Sequence, residues 1–144
     1  PPSWLHHKVH NFWAGKVVQG DEKCKAMLAA KIALNTNHYA GIGDVNKRTF
    51  ELGGMGAFHL TDNRPALSEY FEVGKEVVTF DGRADLREKV QYYLARPEER
   101  QQIAKAAAKR ALRDHTFEKR LEVLLRTVSL EPYPASPSRS PREG

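Results

Sequence analysis

The residues best suited to chemistry lie between Asn35 and Gly56. Asn46, Lys47 and Arg48 stand together where a helix is expected to begin, and Glu51 follows Arg48 by three positions. That spacing puts Arg48 and Glu51 on one helix face. A helix start offers unpaired backbone N–H groups and a positive dipole end, both suited to an anion. A carboxylate one turn further on can accept two hydrogen bonds from a vicinal diol, and a guanidinium beside it can pair with a diphosphate in fork geometry. The approach to this helix, from Asn35 through Gly41, Gly43 and Asp44, is long for a connection, and long loops in compact domains tend to carry function. Gly53, Gly54 and Gly56 remove side chains where the helix ends, which permits close backbone approach. Spacing alone leaves a plainer reading open. Arg48 and Glu51 also fit an ordinary surface pair, and the glycines a helix C-cap with a tight turn.

Other elements must hold these residues in place. Short β-prone runs alternate with helical ones from Lys16 to Phe80. Strands are expected at Lys16-Val17-Val18, Ile32-Ala33-Leu34, residues 57–61 and residues 76–80. Between them fall helices over 21–30, capped by Asp21 with Cys24, Met27 and Leu28 inward, over 45–55, and from Asn63 and Pro65 to Phe71. This alternation predicts an α/β domain: a parallel sheet of about four or more strands with helices on both faces. Ligands of such sheets sit beyond the carboxyl ends of the strands. Those ends are the loop from Asn35, then Asp62-Asn63-Arg64, then Asp81-Gly82-Arg83. A helical C-terminal stretch follows. It comprises an apolar stripe of Leu86, Val90, Tyr93 and Leu94, a helix restarted by Pro97, and a last helix capped by Thr116 whose face is Phe117, Leu121, Leu124, Leu125 and Val128.

The 144 residues carry 28% charged and 40% hydrophobic side chains, which fits one globular domain. No apolar run approaches the length of a membrane span. The net charge of +5 is spread along helices of mixed sign, so a solvated surface is expected rather than a nucleic-acid stripe. The single cysteine, Cys24, forms no internal disulfide, and there is no apolar leader, so a cytoplasmic location is expected. His6, His7 and His10 lack nearby acidic or thiol ligands, so no metal site is expected. Residues 1–14 read as the remnant of a preceding segment, and the Pro/Ser-rich residues 131–144 as a disordered tail.

The run Lys31-Ile32-Ala33-Leu34-Asn35, then Arg48-Thr49-Phe50-Glu51, then Gly56-Ala57-Phe58-His59-Leu60-Thr61-Asp62 resembles the CgeB-like (spore maturation type) glycosyltransferases. The resemblance continues through residues 74–80, Glu99-Arg100-Gln101-Gln102-Ile103-Ala104 and His115-Thr116-Phe117-Glu118-Lys119-Arg120, and covers about Gly15 to Val128. It implies the carboxy-terminal, Rossmann-like half of a GT-B glycosyltransferase, with residues 15–130 holding a nucleotide-sugar donor. On this resemblance Glu51 falls where a ribose-binding glutamate is expected, and Arg48 lies near the donor phosphates. Asn46, Lys47, Gly43 and Asp44 would lie near the diphosphate or sugar, while Asn35, Thr61 and Asp62 would end the strands that line the same cleft. Many retaining GT-B enzymes carry a second glutamate about two turns earlier, where this chain has Gly43 beside Asp44. The resemblance therefore implies no stereochemical outcome and names no catalytic base. The implied partners are a nucleotide-sugar and a missing N-terminal Rossmann-like domain of the same protein, without nucleic acid and without a bound cofactor or metal. The expected activity is hexosyl transfer, with this chain as an incomplete half. A non-catalytic Rossmann-like module that binds a nucleotide or a protein is the alternative.

Overall fold

A computed structural model describes residues 15–37 and 44–128. The expectations for residues 1–14, residues 131–144, Gly43 and the remainder of the 38–43 loop lie outside these residues. In chain order the elements are α1 (Gly20–Ala29), β1 (Ala33–Asn35), α2 (Lys47–Met55), β2 (His59–Asp62), α3 (Leu67–Tyr70), β3 (Val78–Phe80), α4 (Gly82–Leu94), α5 (Pro97–Asp114) and α6 (Phe117–Val128).

The strands form one parallel sheet in the order β1-β2-β3. Its register sets Ala33 beside His59 and Asn35 beside Thr61, then Leu60 beside Val78 and Asp62 beside Phe80. Strand side chains alternate faces, and this register sorts them into two layers. Leu60, Val78 and Phe80 join Phe58, Ile103 and Ala104, with Leu86, Val90 and Tyr93 of α4 packed against them. On the other face Ala33 meets Leu52 of α2, with Ala57 and Met27. The architecture is therefore a Rossmann-like α/β sheet covered on both sides.

Local physics accounts for the element ends. Asn46 caps α2 by accepting from the Thr49 N–H at 3.2 Å. Gly56 ends it in a left-handed conformation, φ 73°, with its N–H reaching the Leu52 and Gly53 carbonyls. Pro97 occupies the first turn of α5, where its missing N–H costs nothing. Thr116 caps α6 by accepting from the Lys119 N–H at 3.2 Å.

Several expectations need correction. Three strands are paired among the described residues, not four or more. The run Lys16-Val17-Val18 makes no ladder, and Val17 is exposed. The N-cap of α1 is Gln19, so Asp21 sits in the first turn instead of capping it. Leu28 and Leu94 share their helices' apolar periodicity but face solvent. The α6 stripe of Phe117, Leu121, Leu124, Leu125 and Val128 is likewise exposed throughout. Periodicity shows which residues share a face; it does not supply the surface that covers them.

His59 is buried at the start of β2. Its Nδ1 lies 3.3 Å from the Ala57 carbonyl, which it can bond only by donating, and its Nε2 has no partner among the described residues. Burial pushes its pKa below the ordinary 6.5, against the smaller opposing pull of the Ala57 carbonyl. The unfolded chain therefore takes up a proton that the folded chain resists, and stability is lost as pH falls below about 6.5. The carboxylates held low in the fold lose their contribution only in a more acidic range. Urea titrations between pH 7 and 5 should show this loss in the native protein and a flatter profile in His59→Leu. Equal slopes would remove His59 as the cause.

Candidate functional site

The carboxyl ends of β1 and β2 and the start of α2 are tied together by side-chain amides and hydroxyls. Asn35, the last residue of β1, is fully buried. Its amide nitrogen donates to Thr49 Oγ1 at 2.9 Å and to Asn46 Oδ1 at 3.2 Å, and lies 3.4 Å from Thr61 Oγ1. In return its Oδ1 accepts from the Asn46 amide at 3.1 Å. Asn37 extends the network. Its Oδ1 accepts from the Asn46 backbone N–H at 2.7 Å, while its own backbone and amide N–H groups donate to Asp62 Oδ1 at 2.8 and 2.7 Å. Arg64 Nε donates to the other Asp62 oxygen at 2.7 Å. Burial alone would raise the Asp62 pKa, but these donors from Asn37 and Arg64 hold it below the usual carboxylate range.

The network fixes the entry to α2. With Asn46 occupied by Thr49, the N–H groups of Lys47 and Arg48 remain at the positive end of the helix dipole. Above them opens a polar cavity of about 500 Å³ lined by Lys23, Thr36, Asn37, Asn46, Lys47, Arg48 and Glu51. Glu51 is half-buried, and its Oε2 accepts from Lys23 Nζ at 2.6 Å. That hydrogen bond is the main reason the Glu51 pKa lies below its ordinary value; burial opposes the shift, and the charges of Lys23, Lys47 and Arg48 add to it. One carboxylate thus stands among three cations, and the cavity has a positive balance suited to a polyanion with a hydroxyl-bearing portion.

The candidate residues divide by position. Asn46, Lys47, Arg48 and Glu51 share the cavity wall. Asn35 and Thr61 lie wholly buried behind it; Asn35 bonds Asn46 directly, and Thr61 stands against the Asn35 amide. Asp62 reaches the same wall through Asn37, and Asp44 is exposed on the approach to α2. Lys23, Thr36 and Asn37 were not among the candidates. Thr36 and Asn37 lie inside the loop that the sequence marks, whereas Lys23 comes from α1, 28 positions before Glu51, with no local signal.

The glycines take structural roles. A Cβ on Gly53 would lie 3.2 Å from Phe71 Cζ and 3.7 Å from the Ala111 methyl, so Gly53 admits the core and α5 rather than a ligand. Beyond the Lys47–Glu51 ridge lies a second, apolar cavity of about 310 Å³, with Phe50, Leu112, His115 and Phe117 among its lining residues. Arg120 stacks over Phe50 beside it, 4.2 Å from the ring centre. Among the described residues no three His, Cys, Asp or Glu side chains gather as metal ligands would, and no helix is long and apolar enough to cross a membrane.

Comparison with known proteins adds an independent line. A family model described as "Glycosyl transferase-like" matches residues 2–126. The "Spore protein CgeB" of Bacillus subtilis (strain 168) is 34% identical over 85 residues, which is 59% of this chain and 25% of that protein. The matched stretch thus spans about a quarter of that relative's length. No solved structure matches.

Proposed function

Since the chain belongs to the glycosyl transferase-like family, we propose that residues 15–130 are the donor-binding domain of an enzyme that transfers a hexose from a nucleotide-sugar. One observation carries the reading. Asn46, Lys47, Arg48 and Glu51 line a single polar cavity at the helix start beyond the carboxyl end of a parallel sheet. The donor diphosphate would lie against the N–H groups of Lys47 and Arg48, with the Arg48 guanidinium as its fork partner. Glu51 would accept hydrogen bonds from the ribose hydroxyls. During transfer an acceptor nucleophile bonds to the sugar's anomeric carbon and gives up its proton to a base outside this domain or to solvent, while the bond from that carbon to the phosphate oxygen breaks and its electron pair stays on the diphosphate. The helix N–H groups and Arg48 would stabilise that developing charge. This assignment uses side chains and backbone alone and calls on no cofactor.

An N-terminal Rossmann-like domain of the same protein is the proposed second wall of the cleft and the source of acceptor contacts. The protein is proposed to work in the cytoplasm, where its lone Cys24 needs no disulfide partner. Asp62, Thr61 and Asn35 enter this scheme as the support that aims Asn46, with Asp44 at the approach.

Calorimetry on the full-length protein with UDP, GDP and ADP tests the reading. At least one should bind, and Glu51→Ala should weaken it by about 1–3 kcal/mol through the loss of a charged acceptor. Binding of none would sink the donor assignment, and an unchanged affinity would remove Glu51 from it. Nucleotide binding without sugar transfer to any acceptor would favour a non-catalytic module.

A further inference from the structure

The ion pair between Lys23 and Glu51 is the contact across the polar cavity that local sequence does not explain. It joins α1 to α2 through a 2.6 Å hydrogen bond, and the two side chains remain 29% and 31% exposed on the cavity wall. Only Oε2 of Glu51 is engaged; Oε1 has no partner among the described residues. One carboxylate oxygen is therefore clamped, and the other is left without a protein partner on a residue that lines the cavity. Lys47 and Arg48 add charge from Glu51's own helix, but neither is hydrogen-bonded to it.

We propose that Lys23 is a positioning residue of the donor pocket, holding Glu51 in the rotamer that offers a single free oxygen to a sugar hydroxyl. This rests on the reading of the cavity as the donor site. It also assigns α1 a part in ligand binding that its sequence does not advertise. A carboxylate free to rotate among three cations would spend part of its time paired with Lys47 or Arg48, whose charges the donor phosphates need. The clamp keeps Glu51 away from them and leaves their charges for the ligand. The grip on the ribose is then one-sided: Oε1 alone meets the diol, and Oε2 stays with the ammonium.

The test is a thermodynamic cycle on the full-length protein, read by calorimetry with UDP, GDP and ADP. Lys23→Met keeps the aliphatic stem and removes the charge. It should weaken the nucleotide that binds best by about tenfold, because an oriented hydrogen bond to a charged group is lost. In the Glu51→Gln background the same change should cost no more than about twofold, since coupled residues do not act additively. Lys23→Arg should restore most of the affinity. Lys23→Gln gives the same comparison should the methionine variant fold poorly. A residue that merely stiffened the fold would cost the same in both backgrounds and would not be rescued selectively by arginine. Equal losses in the two backgrounds, or an affinity within twofold of wild type in Lys23→Met, overturn the proposal while leaving the donor site standing. Failure of the wild-type protein to bind any of the three nucleotides overturns the donor reading and this assignment together.

Discussion

Replacing Asn35 with leucine is expected to lower stability by about 2–4 kcal/mol, although the two side chains have nearly the same shape. Asn35 is wholly buried, and its amide is the hub joining Asn46, Thr49 and Thr61. Leucine would leave those groups facing hydrocarbon with fewer partners. Each buried polar group so orphaned costs about 1–3 kcal/mol. The site should fail along with the fold, because Asn46 loses the bonds that hold it at the start of α2. Urea unfolding measures the first effect and nucleotide titration the second. A leucine variant that unfolds at the wild-type urea concentration would show that the network contributes orientation only.

The second large effect is expected at Phe71, on the far side of α2. Its ring is fully buried, 5.8 Å from the Phe50 ring centre and 5.2 Å from that of His115, and it rests against the bare backbone of Gly53. Phe71→Ala should cost about 3–5 kcal/mol, the transfer energy of the ring plus the cavity it leaves. That is a large share of the roughly 5–15 kcal/mol that holds a domain together. Because Gly53 lies in α2, a collapse there would shift the helix bearing Arg48 and Glu51, and nucleotide affinity should fall in the fraction that remains folded. An unfolding free energy lowered by less than about 1 kcal/mol in urea titration would mean that Leu67, Val77 and Ala111 close the gap.

Much of this architecture was readable from local signals. Pro97 and Thr116 mark helix starts because a ring without an N–H and a hydroxyl cap each act within one turn. The runs at residues 57–61 and 76–80 read as strands because apolar, β-prone residues cluster there, and β2 and β3 fall on them, with β2 running one residue further to Asp62. The cavity wall from Asn46 to Glu51 was legible for the same reason, since its members lie within two turns of one helix. The network behind it was not. Asn35, Thr49 and Thr61 meet only because β1 and β2 pair in a particular register, and register is a property of the assembled sheet. Lys23 was hidden likewise, because the approach of α1 to α2 is tertiary. The expected strand at Lys16–Val18 failed because so short a run finds no neighbour to ladder with among the described residues.

The uncovered stripe on α6 has a colloidal consequence. Phe117, Leu121, Leu124 and Val128 present hydrocarbon to water along one side of a helix, while the whole molecule carries a charge of +5. Mutual repulsion between copies and attraction between their greasy strips therefore oppose one another, and dissolved salt weakens only the repulsion. Preparations of this domain are better kept dilute and at low ionic strength, the reverse of the habit of adding salt to keep a basic protein in solution.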